Sequence, residues 1–276
     1  MARVAITGGS GFIGRAVDDL LREYGFETVI LDRSNGFDVV SSDVVWATRG
    51  CDTVVHLAGV LGTEELFDLP EHAIDVNVKG TARILKACTI NDLHFVGITM
   101  PQVWSNVYQA TKGAAVALGR AWQEAFGLRV SWVRAFNVFG EGQHVHGVQK
   151  IVPTFATRAW KNQPIPVWGD GNQTVDLIYV RAVAKIFAAI VADPQKFGGA
   201  VIDAGTGHLK TVNEVAGLVL KHAESPSPIV HLPMRAGERP ADVQAKGEGW
   251  DLLGWFPRFN QEQLMRTVHW YKQDRP

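Results

Sequence analysis

Short apolar runs alternate with longer stretches whose apolar positions recur every three or four residues, from the start of the chain to about position 136. Residues 3–7, 28–31, 52–57, 93–99 and 129–136 each read as a strand buried on both faces, because consecutive rather than alternate positions are apolar. Between them, residues 18–24, 42–49, 72–88 and 107–126 have helical spacing. Phe12 is already in phase with the first helix, and Gly127 is placed to cap the last. Strand and helix in turn predict a parallel sheet with right-handed crossovers and helices on both faces.

The pattern changes after Gly140. Glycine, proline and histidine thicken over 140–153; a helix over 154–161 follows, then an exposed strand and turn over 164–170. A helix over 183–192, a strand over 200–203, a helix over 212–222, a late strand over 226–232 and a last helix near 261–272 complete the reading. This half is expected to form a smaller lobe over the carboxyl edge of the sheet, where open α/β sheets bind ligands.

The first strand meets the first helix through Gly8-Gly9-Ser10-Gly11-Phe12-Ile13-Gly14. Gly9, Gly11 and Gly14 satisfy G-x-G-x-x-G, and Gly8 adds a second phase with a glycine at every third position. Such glycines let the backbone turn tightly against a pyrophosphate, whose charge is met by free N–H groups at the helix N-terminus, and Gly14 lets helix and strand pack closely. Gly8, Gly11, Phe12, Ile13 and Gly14 are therefore candidate cofactor contacts. The second strand ends in Asp32, at the offset where a carboxylate takes both ribose hydroxyls and repels a 2′-phosphate, which favours NAD; Arg33 beside it suits that phosphate, so NADP stays open. The expected fold class is α/β: a Rossmann-type doubly wound parallel sheet with a smaller C-terminal α/β substrate lobe. Its dinucleotide-binding part spans 1–150 with a returning element near 174–205, and the lobe spans 151–276.

A chain of 276 residues can bury a substantial core. Its net charge of -1 provides no basic field for nucleic acid or an anionic membrane surface. Cys51 and Cys88 stand in different elements, which argues against a disulfide framework or a zinc site. The His144-x-His146 pair reads as polar surface, so no metal is assigned. No apolar run reaches membrane-spanning length and no leader is visible, so the expected compartment is the cytoplasm.

Tyr108 and Lys112 lie one helical turn apart on the same face. An ammonium near a phenol favours phenolate, and such a tyrosine can take a proton from a sugar hydroxyl as hydride leaves the same carbon.

The chain resembles the extended short-chain dehydrogenase/reductase family, which contains nucleotide-sugar epimerases and dehydratases, along nearly its whole length. Thr7 to Gly14 resembles T-G-x-x-G-x-x-G, Asp52 to Ala58 resembles D-x-V-x-H-x-A, Asn77 to Thr81 resembles N-V-x-G-T, and Tyr108 to Lys112 resembles Y-x-x-x-K. Arg134 to Gly140 resembles R-x-x-N-V-Y-G, Gly169-Asp170-Gly171 with Asp176 resembles a later G-D-G…D segment, and Arg235 to Glu238 fits the C-terminal pattern. The resemblance implies that Asp38 and Val39 meet an adenine, that Leu57, Ala58 and Gly59 line the cofactor groove, and that Asn77 orders the proton path. It implies that Tyr108 and Lys112 are catalytic and touch the cofactor, with Thr99 as the catalytic hydroxyl. Asn137, Arg235 and Thr99 are implied substrate contacts, and Trp168 sits in a loop that borders the substrate.

Four departures bear on this. The segment between Thr99 and Tyr108 is short, so the wall over the sugar is reduced or rebuilt with Met100, Gln102, Val103 and Trp104. Val175 stands where the pattern has arginine, Ala182 where it usually has aspartate, and Glu141 where it has proline. Met100-Pro101 replace the Asp-Glu pair of the family's 4,6-dehydratases, which disfavours dehydration. The expectation is an NAD-dependent nucleotide-sugar epimerase, most simply at C4. A reductase of a nucleotide-linked keto sugar and a non-catalytic nucleotide-sensing relative are the alternatives. The resemblance also implies a homodimer through the helices beginning near His72 and Val107.

Overall fold

The computed structural model describes residues 2–272. In chain order the first half contains β1 (Arg3–Thr7), α1 (Phe12–Glu23), β2 (Glu27–Leu31), α2 (Val44–Ala47), β3 (Thr53–His56), α3 (Pro70–Ala73), a π-helical segment (Ile74–Gly80), α4 (Thr81–Asn91), β4 (His94–Thr99), α5 (Val107–Phe126) and β5 (Val130–Ala135). Next come β6 (Asn137–Phe139), α6 (Ile151–Trp160), β7 (Ile165–Trp168), β8 (Thr174–Tyr179), α7 (Val180–Ala192), α8 (Pro194–Phe197) and β9 (Val201–Ala204). The chain ends with β10 (Leu209–Thr211), α9 (Val212–Ala223), β11 (Ile229–Leu232), α10 (Trp250–Leu253) and α11 (Gln261–Trp270).

Six strands form one parallel sheet in the order β2-β1-β3-β4-β5-β9. Val4, Ala5, Ile6, Val54, Val55 and Val96 are fully buried, as expected of strands with helices on both faces. On one face α1 and α7 cover the sheet with Val17, Leu20, Leu21, Val183 and Phe187; on the other, Ile84, Leu85 and Ala115 of α4 and α5 do so. The order reverses at β1 and β3, which places the glycine turn at the switch point where such sheets bind ligands.

Local chemistry sets the element ends. Asn106 accepts the Gln109 N–H at 2.9 Å and starts α5; Gly127, at φ +65°, ends it. Gly8 has φ +70°, and a Cβ there would lie 2.7 Å from the Ala58 nitrogen. A Cβ on Gly14 would run into the Gly8 carbonyl and stand 2.7 Å from Gly9 Cα, so α1 can sit this close to the turn only with glycine at that position.

The region expected to be one helix over 72–88 is continuous from α3 through α4, but Ile74–Gly80 widens to π geometry. Within it the Asn77 side chain accepts from Val60 N at 2.9 Å and donates to Val60 O and Thr111 Oγ1, both at 3.1 Å. Those tertiary bonds accompany a π-bulge at a site, a common place for one.

The remaining strands make two small sheets, β10-β8-β6 and β11-β7. The strand over 164–170 expected to be exposed is instead buried: Ile165 and Val167 pack under α6 and α9 with Phe155, Val215 and Val219. Two buried carboxylates fix the segment after β11. Asp176 accepts from Thr206 N (2.7 Å), Thr206 Oγ1 (2.6 Å), Gly207 N (2.8 Å) and Ala245 N (3.0 Å). Asp203 accepts from Lys246 N, Gly247 N and Glu248 N at 3.0, 3.1 and 3.2 Å and pairs with Arg134.

Candidate functional site

The glycine turn closes on itself through Gly8 N to Leu31 O (2.9 Å) and Gly11 N to Gly8 O (3.1 Å). Gly11 is the N-cap of α1, offers no side-chain acceptor, and no acidic residue follows in the first turn. The first-turn N–H groups therefore face the cavity with the positive end of the helix dipole and no anion of the protein's own. Asp32 accepts from Ser10 N at 3.2 Å and Ser34 N at 3.0 Å, and Ser10 and Ser34 join through their hydroxyls at 2.8 Å. Burial opposes its ionisation, but the Ser34 and Ser10 bonds and the Arg33 charge outweigh it and hold the carboxyl below its usual range.

A buried polar chain backs the groove. Ala58 N donates to Thr7 Oγ1 (3.2 Å), which lies 2.7 Å from His56 Nδ1; His56 Nε2 lies 3.1 Å from Thr81 Oγ1, which donates to Asn77 O at 2.6 Å. Because the Thr81 hydroxyl is spent on a carbonyl, His56 must donate from Nε2 and accept at Nδ1. Burial first, and then the nearby Lys112 charge, push its pKa down to about 3, so the ring is neutral.

Tyr108 and Lys112 both reach the cavity from α5, and Thr99 reaches it from the end of β4. The pKa of Tyr108 departs from the sequence-based expectation: burial pushes the phenol above its ordinary value, because the charged form would lose its hydration. Burial also lowers Lys112 to about 8 from 10.5. Between those two values an unfolded chain holds a proton that the folded one sheds, so stability rises with pH across that window and falls as pH drops through 8. Urea unfolding from pH 7 to 10.5 is expected to show this rise as a difference between wild type and Lys112→Met, on the order of 3 kcal/mol at ~1.4 kcal/mol per pKa unit, because buried Cys51, Cys88 and Tyr108, all pushed up, act the opposite way in both proteins. An unchanged slope in the variant would remove Lys112 as the source.

The short segment after β4 is joined to the C-terminal segment. Trp104 N donates to Gln109 Oε1 (2.8 Å), Trp104 Nε1 to Arg239 O (2.9 Å), Asn106 Nδ2 to Gly237 O (3.3 Å) and an Arg239 guanidinium nitrogen to Val103 O (3.4 Å). Residues 234–239 thus supply a wall of the site. Arg235 lies over the Trp168 ring at 4.9 Å and grips Glu238 with two bonds of 2.6 and 3.1 Å. Asn137 Oδ1 accepts from Asp176 N at 3.3 Å.

One cavity of about 840 Å³ brings these groups together. Gly8, Gly11, Phe12, Ile13, Gly14, Asp32, Arg33, Asp38, Val39, Leu57, Ala58, Gly59, Asn77, Thr99, Tyr108, Lys112, Asn137, Trp168 and Arg235 all border it. It also takes in Lys150 and Thr174, which the sequence reading does not single out, and Glu238, which it names only as the end of a matched segment. For Lys150 the only signal is a cation just before a helix at the end of a glycine- and histidine-rich stretch. Among the described residues no group of three or more His, Cys, Asp or Glu could hold a metal ion, and no helix is long and apolar enough to cross a membrane.

A six-stranded parallel sheet with a glycine turn at its switch point is a Rossmann-type fold. Residues 4–205 match the model of the NAD dependent epimerase/dehydratase family, and the chain belongs to it, within the extended short-chain dehydrogenase/reductases. A trifunctional UDP-glucose 4,6-dehydratase/UDP-4-keto-6-deoxy-D-glucose 3,5-epimerase/UDP-4-keto-L-rhamnose-reductase of Arabidopsis thaliana is 26% identical over 98% of this chain, which spans 47% of that protein. A putative UDP-glucose 4-epimerase of Methanocaldococcus jannaschii is 26% identical over 98% of this chain and 99% of its own length. The solved UDP-glucose 4-epimerase of Thermus thermophilus, a complex with NAD, superposes with a TM-score of 0.85 at 25% identity, covering 99% of both chains.

Proposed function

We propose that this protein is an NAD-dependent nucleotide-sugar epimerase acting at C4. The observation that carries the reading is that the glycine turn and Asp32 at one end, the Tyr108 and Lys112 pair in the middle, and Asn137, Trp168 and Arg235 at the other end border a single cavity. The residues present fit NAD: uncapped first-turn N–H groups for its pyrophosphate, the Asp32 carboxylate for a ribose, and a groove floored by Leu57, Ala58 and Gly59. Bound there, NAD supplies a reversible hydride acceptor. Residues 1–150 with the return near 174–205 form the cofactor-binding part, and 151–276 the substrate lobe.

Tyr108 takes the proton of the C4 hydroxyl and later returns it, Lys112 stabilises the phenolate, and Thr99 hydrogen-bonds the reacting oxygen. Burial opposes ionisation of the phenol, and the Lys112 ammonium one helical turn on favours it. Arg235, fixed over Trp168, faces the substrate diphosphate. The protein works as a homodimer in the cytoplasm.

The test is incubation of the NAD-loaded protein with UDP- and dTDP-linked hexoses, followed by separation of C4 epimers. The expected result is a pair of epimers at equilibrium with no net change in cofactor redox state. Stoichiometric consumption of NAD(P)H by a keto sugar would replace this reading with that of a reductase.

A further inference from the structure

Between Thr99 and Tyr108 the wall of the site has its side-chain polar groups engaged within the protein. Met100, Pro101, Val103 and Trp104 border the cavity there and are half-buried; Gln102, expected in this wall, is exposed and lies outside it, as does Ser105. The indole N–H of Trp104 donates to Arg239 O at 2.9 Å, and its backbone N–H donates to Gln109 Oε1 at 2.8 Å. Val103 O accepts from an Arg239 guanidinium nitrogen at 3.4 Å. Asn106 is buried with both ends of its amide engaged: Oδ1 accepts from Gln109 N at 2.9 Å, and Nδ2 donates to Gly237 O at 3.3 Å. No residue from 100 to 107 carries a charge. A thioether, a pyrrolidine ring, an isopropyl group and an indole are what this wall offers a ligand.

The neighbouring segment after β3 repeats the pattern. Val60, which borders the cavity beside Leu61, has both backbone groups taken by Asn77: its N–H donates to Oδ1 at 2.9 Å and its carbonyl accepts from Nδ2 at 3.1 Å. The wall is also fixed in place. A Cβ on Gly237 would lie 2.8 Å from a Phe67 ring carbon and 3.2 Å from Asn106 Cβ, so the turn carrying Arg235 and Arg239 packs directly between those two segments. A hydroxyl or carboxylate placed against such a surface loses water and gains no partner, whereas a methyl group gains contact.

We infer that the sugar this site takes is a 6-deoxyhexose, with its C6 methyl against Met100, Val103 and Trp104. The inference rests on the nucleotide-sugar C4-epimerase reading and names the substrate class within it. Under that reading Thr99 holds the oxygen on C4, so the residues directly after Thr99 stand beside a neighbour of C4. C3 bears a hydroxyl that needs a partner, which assigns the apolar wall to C5. The group on C5 is the one that varies: a methyl in a 6-deoxyhexose, a hydroxymethyl in the parent hexose, a carboxylate in a hexuronate and only hydrogen in a pentose. The wall has no partner for the added oxygens, and a pentose leaves it uncovered. Epimerisation at C4 draws its proton from the C4 hydroxyl, so the missing 6-hydroxyl takes nothing from the chemistry.

The experiment measures kcat/KM for C4 epimerisation by the NAD-loaded protein on 6-deoxyglucose, glucose, glucuronic acid and xylose, each linked to UDP and to dTDP. Wild type is expected to prefer 6-deoxyglucose to glucose and to xylose by at least about tenfold, the discrimination an apolar pocket makes over one hydroxyl or one methyl, and to leave glucuronic acid unreacted. Met100→Gln puts an amide in place of the thioether, and its preference for 6-deoxyglucose over glucose is expected to fall at least about threefold. UDP binding and thermal unfolding are expected to match wild type, and a change in the ratio of two substrates is not what a loosened fold produces. An unchanged ratio in Met100→Gln overturns the placement of the methyl on this wall. Glucose turned over as well as 6-deoxyglucose overturns the inference and leaves the epimerase reading standing. So does a preference for glucuronic acid, since Arg239 would then pair with the carboxylate, or for xylose, since the wall would then select by size. No epimer from any of these compounds overturns the inference together with the reading beneath it.

Discussion

Tyr108→Phe is expected to lower the rate of epimer formation by about a thousandfold, while UDP and NAD bind as in wild type, because a positioned proton-transfer group contributes roughly 10²–10⁴-fold in rate. The substitution removes one oxygen from a residue that already lines the cavity and leaves the packing of α5 intact. Burial raises the phenol rather than lowering it, so the rate should climb as pH rises from neutrality. Single-turnover measurement of the keto-sugar intermediate is the direct check. A variant with more than about a tenth of wild-type activity would take Tyr108 out of the chemistry.

The largest structural effect is expected at Asp176. Its carboxylate is fully buried and satisfies four donors: three backbone N–H groups, from Thr206, Gly207 and Ala245, and the Thr206 hydroxyl. Asp176→Ala strands those donors in the interior, at about 1–3 kcal/mol for each group left without a partner. Even with water re-entering, a net loss of about 3–5 kcal/mol is expected in urea unfolding, the range for breaking a buried charged cluster. Asp176→Asn keeps the shape but turns one acceptor into a donor facing other donors, so an intermediate loss is expected. A loss below about 1 kcal/mol for Asp176→Ala would mean that the cluster contributes little.

Much of the first half is legible because its strands are buried on both faces and leave an unbroken apolar signature. Val107–Phe126 is the clearest case: its helical spacing gives both bounds and Gly127 marks its end in the sequence itself, while the Asn106 cap shows only in the fold. The later half hides its strands for a physical reason. Thr174–Tyr179 carries Asp176 at its centre, and a carboxylate in an apolar run does not read as a buried position until its backbone donors, from residues far along the chain, are known. The polar residues flanking β7 suggest a surface strand, whereas α6 and α9 cover it. The same limit applies at the site. The helical spacing of Tyr108 and Lys112 is visible in the sequence, but the desolvation that reverses the phenol's shift belongs to the folded environment.

Strand β9 forms one edge of the six-stranded sheet, although its residues come only after β6, α6, β7 and β8 have been traced. A truncation at residue 150 would therefore leave Trp132 to Ala135 with a bare hydrophobic border and take α7 away from α1, while the complementary fragment would carry an orphaned strand of its own. Neither fragment is an autonomous unit: the boundary visible along the polypeptide is not one along which the molecule can be split.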